Sequence, residues 1–344
     1  MREPTQDRSE IVVLGDINAD VIGRVKSWPE PGQECLAERL ELHCGGVGAN
    51  CALALRRWGV SVHLIGCVGE DDFGGFLLKT LAARGVNVSC VRRTANAMTG
   101  MLYINVTPDG QRTFFGSRGA NQLVGRLRKS DSNLFEHARA ASVMGYSFLN
   151  AGSEAVAQQI IAAVHRNDGW VSLDAGMEPS KKIPRKILRA ARSVDFFFVS
   201  DQEAASLTGY HKPKKAFDCL LNLAIPNVVM KLGKRGCLIV DDGTALQVPS
   251  FSIHAVDSTG AGDAFTAAFL QAQLRRWPCA EAALAANAAG AAAASVVGAG
   301  ERLPTRQQMV RLLSAARLQK QWDDVRLRVL LRLSGERDAD SRRS

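Results

Sequence analysis

The sequence predicts a three-layer α/β fold, a doubly wound and mostly parallel sheet covered by helices on both faces, with a small separate β-sheet. Three observations carry this. Short apolar runs alternate with helical patterns from Ile11 to Leu318, the rhythm of parallel strands joined by crossover helices. Two segments break that rhythm with strands that are apolar on one side only. The 344 residues, 46% hydrophobic and 22% charged, suffice for one large core without disulfide staples.

In chain order, residues 1–9 are a polar tail, and Ile11–Leu14 is a buried strand running into the loop Gly15-Asp16. Leu36, Glu38, Leu40 and Glu41 alternate, as in a half-exposed strand over 35–42. Gly45-Gly46-Val47-Gly48 opens a helix that Gly59 stops, Val62–Val68 is a buried strand, and Phe73–Ala83 a helix. A hairpin follows, Met101–Val106 and Arg112–Phe115 around Pro108-Asp109-Gly110; it pairs with the 35–42 strand as a separate sheet. Strands and helices then alternate: 142–146, a helix near 154–165, 171–174, a helix over 185–191, 196–200 and 227–232, with a second hairpin through Asp241-Asp242-Gly243. Three helices close the domain, at 261–276, 280–297 and 305–318. The expected organisation is one large domain over 10–318, with insertions near 17–45 and 98–121, and a charged, frayed tail over 319–344.

Several function classes are excluded by pattern. The eight cysteines come no closer than seven positions and form no C-x-x-C pair, so buried thiols of a reduced cytoplasmic protein are expected rather than a zinc or redox site. The uncharged stretch between Glu281 and Glu301 is mostly Ala and Gly without flanking Lys or Arg, a tightly packed interior helix rather than a membrane span. The formal charge of +9 raises an anionic partner. Leu55-Arg56-Arg57-Trp58 and Leu274-Arg275-Arg276-Trp277 mimic a nucleic-acid signature, yet both fall at helix C-termini, where cations complement the dipole and Trp caps the core. Neither nucleic acid nor membrane is an expected partner.

Three motifs carry chemistry. In Asp257-Ser258-Thr259-Gly260-Ala261-Gly262-Asp263, glycines turn successive amides outward at a helix start, an anion nest. Asp263 beside it suits a base that takes a hydroxyl proton while those amides neutralise a transferred phosphoryl group. Gly45-Gly46-Val47-Gly48-Ala49-Asn50 admits a ligand close to the backbone, with Asn50 offering an amide to hydroxyls. A dinucleotide fingerprint is the rival, weakened by Cys51 at the third glycine position and by the half-exposed strand before the loop. Asn18 and Asp20, beyond the first strand, offer an amide and a carboxylate to a polyol.

Together these motifs resemble those of the PfkB/ribokinase family of sugar kinases, in family order and spacing across nearly the whole domain. VGEDDFG (68–74), Thr99-Gly100, RGAN (118–121), KLGKRG (231–236) and GAGERLPT (298–305) add to the likeness. The resemblance implies a ribokinase-like fold and transfer of the ATP γ-phosphate to a hydroxymethyl group of a sugar or sugar acid. It makes Asp263 the general base and the amides of Gly260, Ala261 and Gly262 the anion hole. It gives the sugar Asn18, Asp20, Gly46 and Asn50, and it gives ATP Lys231, Gly233, Gly236, Gly262 and Asn287. Glu203 matches the acidic end of the family's N-x-x-E motif, which organises water and Mg²⁺; Asp257 and Thr259, with Ala293 and Gly298, match a monovalent-cation (K⁺) site. The odd strands become a lid over the sugar that excludes water, and such lids pair between subunits, so a homodimer is implied.

This chain departs from the pattern at Ser200, where the motif has Asn, at Val47, where ribokinases carry Lys, and at Lys231, where they carry Thr. The alternatives are an adenosine-type nucleoside kinase of the same fold and a catalytically weak sugar-binding relative. Met101, Tyr103, Phe114 and Arg118 of the lid region set the substrate, and Arg118 suits the carboxylate of a 2-keto-3-deoxygluconate-type acid sugar.

Overall fold

The structure, a computed structural model, describes residues 11–108, 112–127, 131–135, 138–241, 243–296 and 300–335. The expected turns at Asp109-Gly110 and Asp242, the tail 1–9 and Gly298 lie outside them.

Apolar runs too short for helices make the central sheet. Its strands are β1 (Ile11–Leu14), β4 (Val62–Gly69), β5 (Val91–Thr94), β8 (Ala140–Met144), β9 (Trp170–Asp174), β10 (Phe196–Ser200), β11 (Val228–Lys231), β12 (Cys237–Asp241) and β13 (Thr244–Val248). They stand in the order β13-β12-β11-β10-β9-β8-β1-β4-β5. Pairing is parallel from β11 to β5 and antiparallel at β12 and β13. Every residue of β1, β4 and β8 is buried, as expected of strands covered on both faces.

One face packs against α1 (Val47–Arg57), α2 (Asp72–Ala83), α9 (Ala261–Leu274), α10 (Cys279–Ala294) and α11 (Arg306–Ala315). The other packs against α3 (Ser132–Phe135), α4 (Ala151–Arg166), α6 (Pro184–Ala191), α7 (Asp201–Thr208) and α8 (Pro213–Asn222), with the short α5 (Met177–Lys182) near the strand ends. The alanine-rich stretch is α10, buried along nearly its whole length, its small side chains letting α9 lie close. Among the described residues no helix is long and apolar enough to cross a membrane. The two Arg-Arg-Trp segments end α1 and α9: Trp58 is buried and its Nε1 donates to the Pro304 carbonyl at 3.0 Å, and Trp277 is buried beneath Arg332.

The lid is a separate sheet of four strands in the order β3-β2-β6-β7, namely β2 (Asn18–Arg24), β3 (Arg39–Gly45), β6 (Gly100–Val106) and β7 (Arg112–Ser117). The separate sheet agrees with expectation, but β2 falls where the sequence pattern suggests loop, and it is β2 that joins β3 to the hairpin. The strand expected at 35–42 begins at Arg39.

A second correction concerns the C-terminus. Residues 320–322 form a 3-10 turn and Asp323–Gly335 a helix, α12, which seats Val329 and Leu333 in the main core. The expected tail is therefore an ordered part of the domain over 320–335, because Val329 and Leu333 repeat at helical spacing beneath the charges.

Candidate active site

The chain order of the sheet reverses at β1, which sits between β8 and β4. In open α/β sheets, ligands bind beyond the carboxyl ends of the strands at such a switch. Here Asp16 follows β1 and the 3-10 turn Gly145–Leu149 follows β8, and both line a cavity of about 690 Å³. Its roof is the inner lid face, with Asp20, Leu102, Ile104 and Phe114; its floor includes Gly46, Asn50, Thr259, Gly260 and Asp263.

The glycines at the floor are there for backbone approach. Gly46 has φ 90°, and a Cβ there would lie 2.5 Å from the Asp16 carbonyl oxygen. A Cβ on Gly48 would lie 2.7 Å from the Gly15 Cα. The Asp16 carbonyl accepts from the N–H groups of Gly48 and Ala49 at 3.0 and 3.3 Å, which fixes the start of α1 against the end of β1. This places Asn50, whose Nδ2 donates to Asp263 Oδ2 at 2.7 Å while its Oδ1 accepts from the Gly300 N–H at 3.1 Å.

Asp263 stands in the first turn of α9, after Gly260 in the left-handed conformation (φ 72°). Burial raises its carboxyl to about 6; the Asn50 hydrogen bond opposes the rise, the Asp174 charge adds to it, and Lys231 offsets it. Of the loop amides, that of Ala261 donates to the Ser258 carbonyl at 3.2 Å. Asp20 lies on β2, 4% exposed, with its Oδ1 lacking a hydrogen-bond partner among the described residues; burial, aided by the Asp263 charge, raises it to about 7.

Lys231, at the end of β11, donates to Asp174 Oδ2 at 2.7 Å, and the same oxygen accepts from Thr266 Oγ1 at 2.9 Å. Burial works against its charge, but Asp174 and Glu203 outweigh that and hold the ammonium above its ordinary value. Its Nζ lies 3.7 Å from where a Cβ on Gly262 would stand, so the amine borders the anion loop. Glu203 forms a capping box with Ser200: Ser200 N–H donates to Glu203 Oε2 at 2.7 Å, and Glu203 N–H to Ser200 Oγ at 3.2 Å. Serine at the motif's Asn position thus keeps the cap that orients Glu203, whose carboxyl burial pushes up.

Of the remaining expected residues, Asn18 and Thr259 line the cavity, and the others lie apart from it or serve the backbone. Gly233 opens the turn after β11, and Gly236 (φ 87°) meets the Val248 carbonyl so closely that a Cβ would overlap it. Asn287 is buried on α10, its Nδ2 donating to the carbonyls of Val248 and Pro249 at 3.2 and 3.0 Å. Asp257 Oδ1 accepts from the Thr259 N–H at 2.7 Å, and the N–H groups of Val256 and Asp257 both donate to the Ala294 carbonyl, beside Ala293. Asn18 Oδ1 accepts from Asn121 Nδ2 at 2.8 Å, and Asn121 also brackets both backbone groups of Ile17.

Sequence reading passes over Asp174, quotes Asn121 only as part of a motif, and names Arg118 without its pairing to Asp16. Arg118 grips both Asp16 carboxylate oxygens at 2.8 Å and lies over the Tyr146 ring. A carboxylate ending an apolar strand, as in Val171–Asp174, is the one local sign that marks Asp174. Asp71 caps α2 and accepts from both Thr99 groups at 2.7 Å, which explains the two short motifs around 68–74 and 99–100 as the lid's anchor.

The family model described as pfkB family carbohydrate kinase matches residues 8–306. The ribokinase of Haemophilus influenzae is 27% identical over 316 residues, which is 90% of this chain and all of that one. Arabidopsis thaliana ribokinase, solved with ribose and ATP, is 27% identical with a TM-score of 0.77, covering 90% of this chain and 99% of that chain. A ribokinase II candidate from E. coli, solved with ATP and Mg²⁺, shares the fold with a TM-score of 0.77 at 22% identity, covering 90% of this chain and 100% of that chain. A match of that extent places the protein in the pfkB family as an ATP-dependent carbohydrate kinase.

Proposed function

We propose that the enzyme transfers the γ-phosphate of ATP to a hydroxymethyl group of a sugar bound between the lid and the floor of the cavity, with Asp263 as general base. The observation that carries this is Asp263 itself: a half-buried carboxyl raised to about 6, at the start of α9 beside the anion loop, and reachable from the cavity. A base near neutrality is matched to taking an alcohol proton at physiological pH. Asp263 takes the hydroxyl proton as the oxygen attacks the γ-phosphorus and the bond to the β,γ-bridging oxygen breaks, releasing ADP.

Amides of Gly260 and Gly262, with that of Ala261 where its bond to Ser258 loosens, meet the charge that builds on the phosphoryl oxygens. Lys231 borders the same loop and serves the ATP phosphates, with Gly233, Gly236 and Asn287 shaping the nucleotide side. Asn18, Asp20, Gly46 and Asn50 hold the sugar. Asp20 Oδ1, buried and without a partner, is the acceptor that a sugar hydroxyl would satisfy.

Mg²⁺ fits this site on its donor chemistry. Asp174, Glu203 and Asp263 outnumber Lys231, but among the described residues no three carboxylate, His or Cys side chains cluster to hold an ion by themselves, so the ion would come in on the ATP phosphates. Glu203 would hold the ion through water, and the ion would neutralise phosphate charge. Asp257 and Thr259 are the proposed K⁺ loop, tethered to the end of α10. The lid is the proposed homodimer contact, and the cytoplasm the proposed compartment.

The test is ADP release with the full chain, ATP and Mg²⁺ over sugars and nucleosides. Sugar-stimulated turnover is expected, and Asp263→Asn lowers kcat by about 10²- to 10⁴-fold, the usual worth of a general base. No stimulation by any acceptor, or full activity in the variant, refutes the reading.

A further inference from the structure

We infer that Arg302, to which the motifs above give no role, is a positioning residue for the acceptor: through Glu41 it seats the lid's edge strand β3 on the α/β domain. The inference rests on the kinase reading, in which the acceptor lies beneath the lid.

Among the described strands β3 pairs with β2 alone. Register sets His43 opposite Asp20 and Glu41 opposite Ile22, so Glu41 and His43 stand on the face that carries Asp20, toward the domain. The seat of β3 therefore bears on Asp20, the residue proposed to receive a sugar hydroxyl. Glu41 Oε2 accepts from Arg302 Nη2 at 2.7 Å and meets His43 Nε2 at 3.1 Å, while its Oε1 lies 3.2 Å from Arg39 Nε. Arg39 and His43 belong to β3 itself, so of these three partners Arg302 is the one that reaches Glu41 from outside the lid. The His43 hydrogen bond, with Arg39 and Arg302 behind it, holds the Glu41 carboxyl below its usual range, and the pair is ionic at neutral pH.

Arg302 is itself firmly held. It ends the 3-10 turn Gly300–Arg302, and Gly300 (φ 59°) lies so close to the Cys44 carbonyl of β3 that a Cβ there would overlap it. The Gly300 N–H donates to Asn50 Oδ1 at 3.1 Å. The residues that follow are tied to the end of α1: Arg57 donates to the Leu303 carbonyl, Trp58 Nε1 to the Pro304 carbonyl at 3.0 Å, and Arg306 to the Trp58 carbonyl. A charge pair restrains a strand only as firmly as its other end is fixed, and this end is fixed to the helix that carries Asn50. Both partners are partly open to water, Arg302 at 42% and Glu41 at 27%, so the pair is worth a small factor and yields to salt.

The experiment uses the full chain with the acceptor that the panel above identifies. Arg302→Ala should raise the acceptor KM about 2- to 5-fold, the range for a partly exposed ion pair, with the KM for ATP, kcat and the melting temperature nearly unchanged. Arg302→Lys, which keeps a charge at that place, should recover part of the loss. Salt raised to about 1 M should narrow the gap between wild type and Arg302→Ala. In a Glu41→Gln background, Arg302→Ala should raise the acceptor KM no further. Amide hydrogen exchange, which needs no turnover, should quicken over β2 and β3 in Arg302→Ala and stay at the wild-type rate over β1 and α9. An unaltered acceptor KM, a raised ATP KM in its place, or lid exchange equal to that of the wild type overturns the inference while leaving the kinase reading intact. Lid exchange that quickens in the variant, while no acceptor stimulates ADP release in the wild type, would refute the kinase reading and uphold the seating of β3 by Arg302.

Discussion

Two carboxyls, Asp20 and Asp263, face one cavity from opposite sides, and their burial has opposite consequences for stability and for function. Each is raised above the ordinary aspartate value, to about 7 and about 6, so the folded chain holds protons that the unfolded chain has released. Folding stability from these groups is therefore greatest below about pH 4 and falls as pH rises through 6 and 7. For Asp20 the loss is on the order of a few kcal/mol, since each tenfold change in proton affinity is worth about 1.4 kcal/mol. Asp20→Asn should raise the melting temperature of the ligand-free enzyme at pH 8 and leave it nearly unchanged near pH 4. The same variant should weaken sugar binding, since a neutral amide oxygen accepts a sugar hydroxyl less strongly than a carboxylate does. Catalysis follows the other direction: kcat/KM should climb with pH as Asp263 loses its proton near 6. Thermal melts and rate profiles over about pH 4–9 check both slopes. A wild-type melting temperature that rises from pH 5 to 8 relative to Asp20→Asn contradicts the first.

At the scale of elements, legibility tracks how local the signal is. The anion loop and the Gly46–Asn50 loop can be read because turn glycines and a helix-start carboxylate or amide lie within seven residues of each other. Strand β2 cannot: NADVIGR mixes polar and apolar residues around Gly23 and looks like loop until β3 and β6 flank it. The holders of the site, Asp174 for Lys231 and Asn121 for Asn18, act across 57 and 103 positions, so neither the strand-end carboxylate nor the RGAN motif tells which partner it holds. Helix α12 is hidden by its charges. Two of those charges explain its place: Arg328 and Arg332 donate to the two oxygens of Glu281 on α10 at 2.6 and 2.7 Å. Glu281 is 2% exposed, so removing both arginines leaves a carboxylate buried without its partners. Since both arginines are partly open to solvent, the double change Arg328→Ala/Arg332→Ala should cost about 1–3 kcal/mol, less than a fully buried pair. Glu281→Gln in that background should recover part of it, and denaturant unfolding measures both.

For the whole molecule, the lid poses a problem that the single chain does not solve. Register assigns its faces: Asp20, Leu102, Ile104 and Phe114 line the cavity, so Val21, Leu40, Leu42, Tyr103 and Phe115, which alternate with or pair across from them, share the opposite face. On that outer face Leu40 is 58% exposed and Phe115 56%, the latter stacked on Trp28 at 5.6 Å. A sheet that is apolar on both sides is covered on both sides in a stable protein. The inner side has the substrate and the floor of the domain. The outer side needs a second apolar surface, and in the proposed homodimer the identical lid of another copy would supply one through two-fold pairing. The lid-paired homodimer then predicts that light scattering with size exclusion gives twice the chain mass. Leu40→Asp with Phe115→Asp should shift that mass to the monomer without unfolding the α/β domain, because neither residue enters its core. Turnover should fall with loss of the dimer, through a raised sugar KM, since a lid unsupported from outside closes less often over the substrate. A monomeric wild type, or a monomeric variant with an unaltered sugar KM, would show that the lid works alone.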